Sequence, residues 1–302
     1  MSRKPIIRIG ANTFCTKHYN IILRRDTESI INAVLRDKKR KLVYLIDDDI
    51  EGGMEDRALP QTYRKELRRF HKKQHSQLVN QADELLVSSE YLQKKFKNKK
   101  KVTLLRPYWS EPLSGVAHFE NLKEKKCPVR IAALGSFTHQ ADHHFVDQVL
   151  LKVIPHTKNI EVILAHSNMR DSSLANHKNV NLLPSMPWSE YRKTLPHIKA
   201  HICLYPLLNN NFNKGRSPNK LIEHAVAGGV SLCTDDWQYA KHIQNGQNGF
   251  TCARDSSAWA ELILNLIDKP TYLTVAFNQF LKEAICLNNK QEQREIWCRL
   301  LF

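Results

Sequence analysis

Short apolar runs recur along the chain, separated by longer stretches in which apolar residues return every three or four positions. This alternation of strand and helix builds βα units around parallel sheets. In the first part, Ile6–Ile9 reads as a strand and Asp26–Leu35 as a helix, and Leu42–Ile46 reads as a buried strand ending abruptly in Asp47, Asp48 and Asp49. The spacing then predicts a helix over 61–80, a strand over Glu84–Ser88, a short helix over Ser89–Phe96 and a strand over Val102–Leu105. Residues 107–127 carry Pro, Gly and Ser signals without a period, which places an interdomain linker there, most narrowly at 116–128. The second part opens with a strand at Arg130–Leu134, and Gly135 turns into a helix whose apolar residues include Phe145, Val149 and Val153. Further strands are predicted at Glu161–Leu164, Val180–Leu182, His201–Tyr205 and Val230–Cys233, with a helix over Pro218–Ala227, a turn at Asn248–Gly249 and helix through Leu301. The pattern predicts two doubly wound α/β domains facing each other across a cleft, residues 1–115 and 129–302, with the C-terminal helices packing back on the first.

Composition narrows the function classes. At 302 residues and 42% apolar content the chain can build real cores, which excludes a disordered or low-complexity protein. No apolar run approaches the roughly 18 residues that span a bilayer. The N-terminal stretch lacks a long apolar segment and a small-residue cleavage site, so a cytoplasmic protein is expected, placed at the inner face of the membrane if at a membrane at all. Seven scattered cysteines, never spaced Cys-x-x-Cys, fit reduced thiols. The net charge is +16, of which residues 1–126 hold +12 and residues 127–302 only +4. Much of the excess lies in the helix around Arg64, Lys65, Arg68, Arg69, Lys72 and Lys73 and in the run Lys94–Lys101. These patches suit anionic lipid headgroups, an anionic glycan or nucleic acid. No zinc finger, RNA-recognition motif or helix-turn-helix accompanies them, so specific nucleic-acid reading is not expected.

Three segments carry candidate chemistry. In Lys214–Ser231, Ser217 reads as an N-cap and Pro218 as the first helical residue, so free backbone N–H groups and the side chains of Arg216 and Lys220 would meet an anion there. Glu223, one turn deeper, could accept hydrogen bonds from vicinal hydroxyls, and together these groups suit a pyrophosphate and a ribose. A well-capped surface helix with an ordinary Lys–Glu pair is the plainer alternative. The loop Gly135–Asp142 offers a second phosphate-facing turn; His139 and His143 have zinc-pair spacing, but no third ligand is evident and no metal is expected. Asp47–Asp49 ends a strand where parallel sheets place ligand sites, which suits an acid, a base or a hydroxyl acceptor.

Several strings, in order, resemble bacterial glycosyltransferases of the GT-B fold, the group-1 (family 4-like) retaining class. They are Leu42–Ile50 (LVYLIDDDI), Gln81–Leu92 (QADELLVSSEYL), Gly135–Asp142 (GSFTHQAD), Pro184–Trp188 with Cys203–Leu208 (CLYPLL), Phe212–Glu223 (FNKGRSPNKLIE) and Asn245–Gly249 (NGQNG). The resemblance implies two Rossmann-like domains, the first reduced, and transfer of a sugar from a UDP-, GDP- or dTDP-linked donor to a lipid-linked or anionic surface glycan of capsule, O-antigen or lipopolysaccharide type. It implies retention of configuration, with neither metal nor cofactor. It assigns Arg216 and Lys220 to the diphosphate, with Ser217 and Asn219 beside them, and Glu223 to the ribose. Gly135, Ser136, Thr138 and His139 would lie by the phosphates and Met186 and Trp188 near the base. Asp48 would be catalytic, with Asp47 and Asp49 on the acceptor side. The class usually carries a second Glu eight residues before Glu223, where this chain has Gly215. A polyanion-binding protein on an inactive scaffold and a nucleotide-sugar epimerase are the rival functions.

Overall fold

Antiparallel pairing at one edge gives way to parallel pairing further in, and this change organises the first domain. The computed structural model describes residues 6–123, 127–135, 140–165 and 174–301. Strands β1 (Ile7–Arg8), β2 (Thr13–Cys15) and β3 (Tyr19–Leu23) form an antiparallel meander. Strands β4 (Lys41–Ile46), β5 (Glu84–Val87) and β6 (Val102–Leu104) then add in parallel, so strand order follows chain order. The sequence pattern misses β2 and β3. The first is three residues long, and the apolar run of the second is broken by Asn20, a buried residue whose amide donates to Asp37 (2.9 Å).

Parallel strands laid down in one direction, joined by crossovers of one hand, collect their helices on one face. Between the strands come α1 (Glu28–Arg36), α2 (Ile50–Glu55), α3 (Gln61–Phe70), a π-helical turn at His71–His75, α4 (Ser76–Gln81) and α5 (Glu90–Lys95); α1, α4 and α5 pack on that face. Ile31, Val34, Leu78, Val79 and Leu92 from these helices meet Ile22, Tyr44, Ile46, Leu85 and Val87 of the sheet. The alternate residues Ile21, Val43 and Leu86 point the other way, and among the described residues no helix from this part of the chain joins their cluster.

The segment expected to be a linker carries α6 (His118–Lys123), whose Phe119 and Leu122 are buried in the second domain's core. Two apolar residues three apart, flanked by Pro, Ser and Gly, are too few to show a helical period. The second sheet follows: β7 (Val129–Leu134), α7 (Gln140–Val153), β8 (Ile160–Ala165), β9 (Val180–Leu183), α8 (Trp188–Thr194) and β10 (Ile202–Tyr205). After α9 (Asn211–Lys214) and α10 (Asn219–Ala227) come β11 (Val230–Thr234) and β12 (Phe250–Cys252), then α11 (Ser256–Ile267) and α12 (Pro270–Leu287). The six strands are parallel in the order β12-β11-β10-β7-β8-β9. This is the Rossmann order, with its reversal between β7 and β10, where such sheets open a ligand crevice at their carboxyl ends. Gly228 closes α10 in the left-handed region (φ 96°), its N–H bonded to His224 O, a conformation that strains any side-chain-bearing residue.

The chain then returns to the first domain. Asn288, just past α12, accepts from the backbone N–H of Trp109 (2.8 Å) and donates to its carbonyl (3.0 Å), so the outgoing and returning segments are tied together. The last helix, α13 (Lys290–Leu301), lays Leu300, Ile296, Trp297 and Leu301 on the uncovered face of Ile21, Val43, Leu86 and Leu105. Arg299 grips Glu84 with both terminal nitrogens (2.7 and 2.5 Å). Burial alone would raise the Glu84 carboxyl, but Arg299, Thr103 and Lys101 outweigh it and hold the group at about 2. The fold class read from the sequence holds, and the second helical layer of the reduced first domain comes from the far end of the chain.

Leu300 is 1% exposed and Ile285, on the outer face of α12, is 62% exposed. Leu300→Ala is expected to cost about 2–5 kcal/mol in urea denaturation, by lost burial and the cavity left behind. Ile285→Ala should stay within about 0.5 kcal/mol of the parent chain.

Candidate active site

The domains meet where β4 of the first sheet and β7 and β10 of the second end. The seam is anchored by Phe212, 1% exposed, which leaves α9 and enters the first domain among Ile50, Leu59 and Leu67. The Arg216 guanidinium stacks on the Phe212 ring at 4.6 Å and donates to Asp48 Oδ1 at 3.0 Å, joining the two candidate segments across the seam. Ser89, the N-cap of α5, also donates to Gly215 O (2.9 Å). A side chain at Gly215 would sit 2.9 Å from Asp49 Cβ and 3.0 Å from its backbone nitrogen, so this position takes no carboxylate while the acidic turn packs there.

Beside the seam lies a cavity of about 430 Å³. The first domain supplies Arg24, Asp47 and Asp48; the second supplies Trp188, Tyr205, Arg216, Ser217, Asn219 and Lys220; Trp297 of α13 completes one wall. Helix α10 begins one residue later than the sequence suggests. Pro218 is its N-cap (φ −72°, ψ 12°), and among the described residues no side chain caps it. Ser217 is therefore not the cap: the turn from α9 runs on through Arg216, whose N–H bonds Asn213 O, and Ser217 lines the cavity instead. An uncapped helix start beside two cations is a favourable place for an anion. Asn219 lines the same wall, with its carbonyl oxygen held by the Trp109 indole (2.8 Å).

Lys220 reaches from α10 to the end of β7, donating to Leu134 O (2.7 Å), and it also pairs with Glu223 (2.8 Å). Glu223 is 3% exposed and lies beneath the cavity, off its lining. Its carboxylate also accepts from the Tyr191 hydroxyl at 2.5 Å, and burial followed by the nearby Glu223 charge pushes that phenol well above its usual range. Trp188, 58% exposed, stacks on Tyr191 (5.7 Å, 27°), so a largely exposed indole lies beside the Lys220–Glu223–Tyr191 group. Met186 lies in the loop ahead of α8, part-buried and off the cavity lining. Gly135 follows β7 directly; Ser136, Thr138 and His139 lie outside the described residues.

The acidic turn divides in two. Asp47 and Asp48 face the cavity, Asp47 paired with Arg24 Nε (2.5 Å) and Asp48 with Arg216. Partial burial, then the adjacent Asp48 charge, raises the Asp47 carboxyl to about 6 against the pull of Arg24 and Arg216. Asp49 does not face the cleft. It caps α2 by accepting from Gly52 N (2.9 Å) and pairs with Lys95 (2.6 Å), because α2 begins at the next residue and needs a cap. Among the described residues no group of three or more His, Cys, Asp or Glu side chains is placed to hold a metal ion.

The sequence reading overlooks Arg24, Tyr191 and Trp297. Arg24 follows the unassigned strand β3 and sits in the left-handed region (φ 68°), which no local pattern announces. Tyr191 was detectable as the residue three beyond Trp188 on a short helix. Trp297 arrives from the other end of the chain.

No protein-family model matches the chain, and no curated protein matches it by sequence. Among solved structures, it is similar to TarM (12% identity, TM-score 0.63), with 93% of this chain aligned to 54% of that one. A TarM variant from S. aureus in complex with fondaparinux, alpha-GlcNAc-glycerol and UDP gives 11% identity and a TM-score of 0.65. HepE from Anabaena in complex with UDP and glucose gives 13%, a TM-score of 0.63, and coverage of 93% and 77%. Sucrose-phosphate synthase from Thermosynechococcus elongatus gives 10%, 0.61, 90% and 70%. The chain thus spans about half the length of TarM. Two Rossmann-like domains facing one another across a cleft, matched over most of this chain by those structures, show that it has the GT-B fold.

Proposed function

We propose that the chain is a glycosyltransferase that moves a sugar from a nucleoside diphosphate sugar to a hydroxyl of a surface glycan, with retention and without a metal ion. The observation that carries this reading is the meeting, in one cavity, of an uncapped helix start, Arg216 and Lys220 on one side and Asp47 and Asp48 on the other. Breaking a sugar–phosphate bond leaves growing negative charge on the departing diphosphate, and fixed cations with backbone N–H groups at that point lower the barrier. Arg216 stays protonated: burial is the largest influence and works against it, but Asp48, Tyr205, Tyr63 and Asp47 together outweigh burial and raise it. A diphosphate brings two or more negative charges to a guanidinium that now shares one carboxylate, which favours exchange of partners. Lys220 is oriented for the same anion by Leu134 O and Glu223. Glu223 then acts as a positioning residue, holding Lys220 and the Tyr191 hydroxyl beneath the point where a ribose would lie. Trp188 offers the flat face that a nucleobase stacks on. Asp47, the more open of the two cleft carboxylates, accepts a hydrogen bond from the acceptor hydroxyl.

The UDP in the HepE and TarM complexes supports trying uridine nucleotides first. The basic face of α3, with Lys65, Arg68 and Arg69 exposed, supports an acceptor that is anionic or carried on an anionic membrane surface. No helix among the described residues is long and apolar enough to cross a membrane.

Thermal melts with UDP, GDP, dTDP and CMP should show stabilisation by at least one of them; no shift with any of the four would favour the inactive-scaffold alternative. Once a donor is known, Arg216→Ala and Lys220→Ala should each lower kcat by about 10²–10³-fold. A harmless Lys220→Ala together with a manganese requirement lost in Asp48→Asn would replace this mechanism with a metal-dependent one. Activity should fall as pH drops through about 6, the range in which Asp47 takes up its proton. Arg24→Ala should move that limb upward, because Arg24 is among the charges holding Asp47 ionised; a pH–rate profile of both chains decides it.

A further inference from the structure

The charge excess of the first domain reads in the sequence as two basic runs, yet a concave basic site lies elsewhere. A cavity of about 360 Å³ sits at the end of the first sheet opposite the acidic turn. Lys41 opens β4 and lines this cavity, while Asp47 follows the end of β4, so about 20 Å of strand separates the two sites. Lys17, His18 and Tyr19 from the β2–β3 turn, Lys39 and Lys41 ahead of and within β4, and Arg299 of α13 form its walls.

The acids close by are already engaged. Asp37 is held by Arg40 (2.7 Å) and Asn20 (2.9 Å), and Glu84 by Arg299. Lys17, Lys39 and Lys41 make no ion pair with any carboxylate among the described residues. The frame that presents them is fixed. Thr16 Oγ1 accepts from the N–H groups of His18 (3.3 Å) and Tyr19 (3.0 Å), Lys41 N bonds His18 O (2.9 Å), and Arg40 Nε bonds Thr16 O (2.9 Å). Lys17, Lys39 and Lys41 are exposed and line one cavity, and their like charges repel unless an anion neutralises them. Ammonium groups serve as point-charge donors to phosphate. The volume is that of a small-molecule site, and a flat bilayer cannot enter it. Tyr19 and the apolar end of α13 add a wall for a ring.

We propose that this cavity binds a soluble phosphorylated small molecule carrying at least two negative charges, at a site separate from the cleft. Such a ligand would tie the β2–β3 turn, the start of β4 and α13 together.

Isothermal titration with inorganic pyrophosphate, using the full chain, tests this. In a Lys220→Ala background, which weakens the cleft, pyrophosphate is expected still to bind. Adding Lys17→Ala and Lys41→Ala should weaken that binding about tenfold or more, a change equivalent to the loss of one good contact. A chain in which Lys65→Ala and Lys72→Ala remove the same charge from the basic helix should bind as the Lys220→Ala parent does. Failure of pyrophosphate to bind, unchanged binding without Lys17 and Lys41, or equal weakening by the helix substitutions would each overturn the site. Binding only to phosphatidylglycerol vesicles, lost without Lys17 and Lys41, would assign the phosphate to a lipid headgroup and overturn the soluble ligand.

Discussion

A sheet wound in one direction can cover only one of its faces, and the rest of this molecule follows from how the other face is closed. Ile21, Val43 and Leu86 would stand in water without Ile296, Trp297 and Leu300. Closing the face with a helix from the far end of the chain gives the first domain the second layer that its length does not supply. It also brings Gln293 and Trp297 to the cleft wall. The domain arrangement is therefore built into the core, and the cleft is shaped by residues whose first duty is packing.

The second constraint is electrostatic. Asp47, Asp48, Arg24 and Arg216 sit close together at the seam, and each charge is kept by an opposite one. Such pairs contribute little net stability once desolvation is counted, but removing one partner leaves the other stranded. The arrangement fixes which carboxylate faces the cavity and which cation faces it back. Phe212 adds an apolar anchor to the same seam, so alignment there does not depend on charge alone.

Much of this was legible in the sequence wherever local pattern and tertiary role agree. Buried parallel strands such as β7, β10 and β11 are continuous apolar runs, and Phe212–Glu223 carries its cations at a helix start that the structure also shows. Legibility failed where one residue serves two purposes. Asn20 is polar because it ties Asp37, and so it hid a strand. Asp49 is spent on capping α2 while its neighbours line the cavity. Ser217 has the chemistry of a cap, but the preceding turn carries the chain past it. Arg24 could not be placed, and for Trp297 only the return of its helix to the first domain was legible, because what brings both to the cleft is contact between distant segments.

The position of α13 also sets an order of events in folding. The first sheet is made before the second domain, yet its last layer is made after it. A chain emerging in sequence must hold one apolar face of its first domain open until the whole second domain has been added. That delay favours a slow final step and a need for shielding in the interval. The tie between Trp109 and Asn288 shortens the search, since it brings α13 back beside the sheet it has to cover.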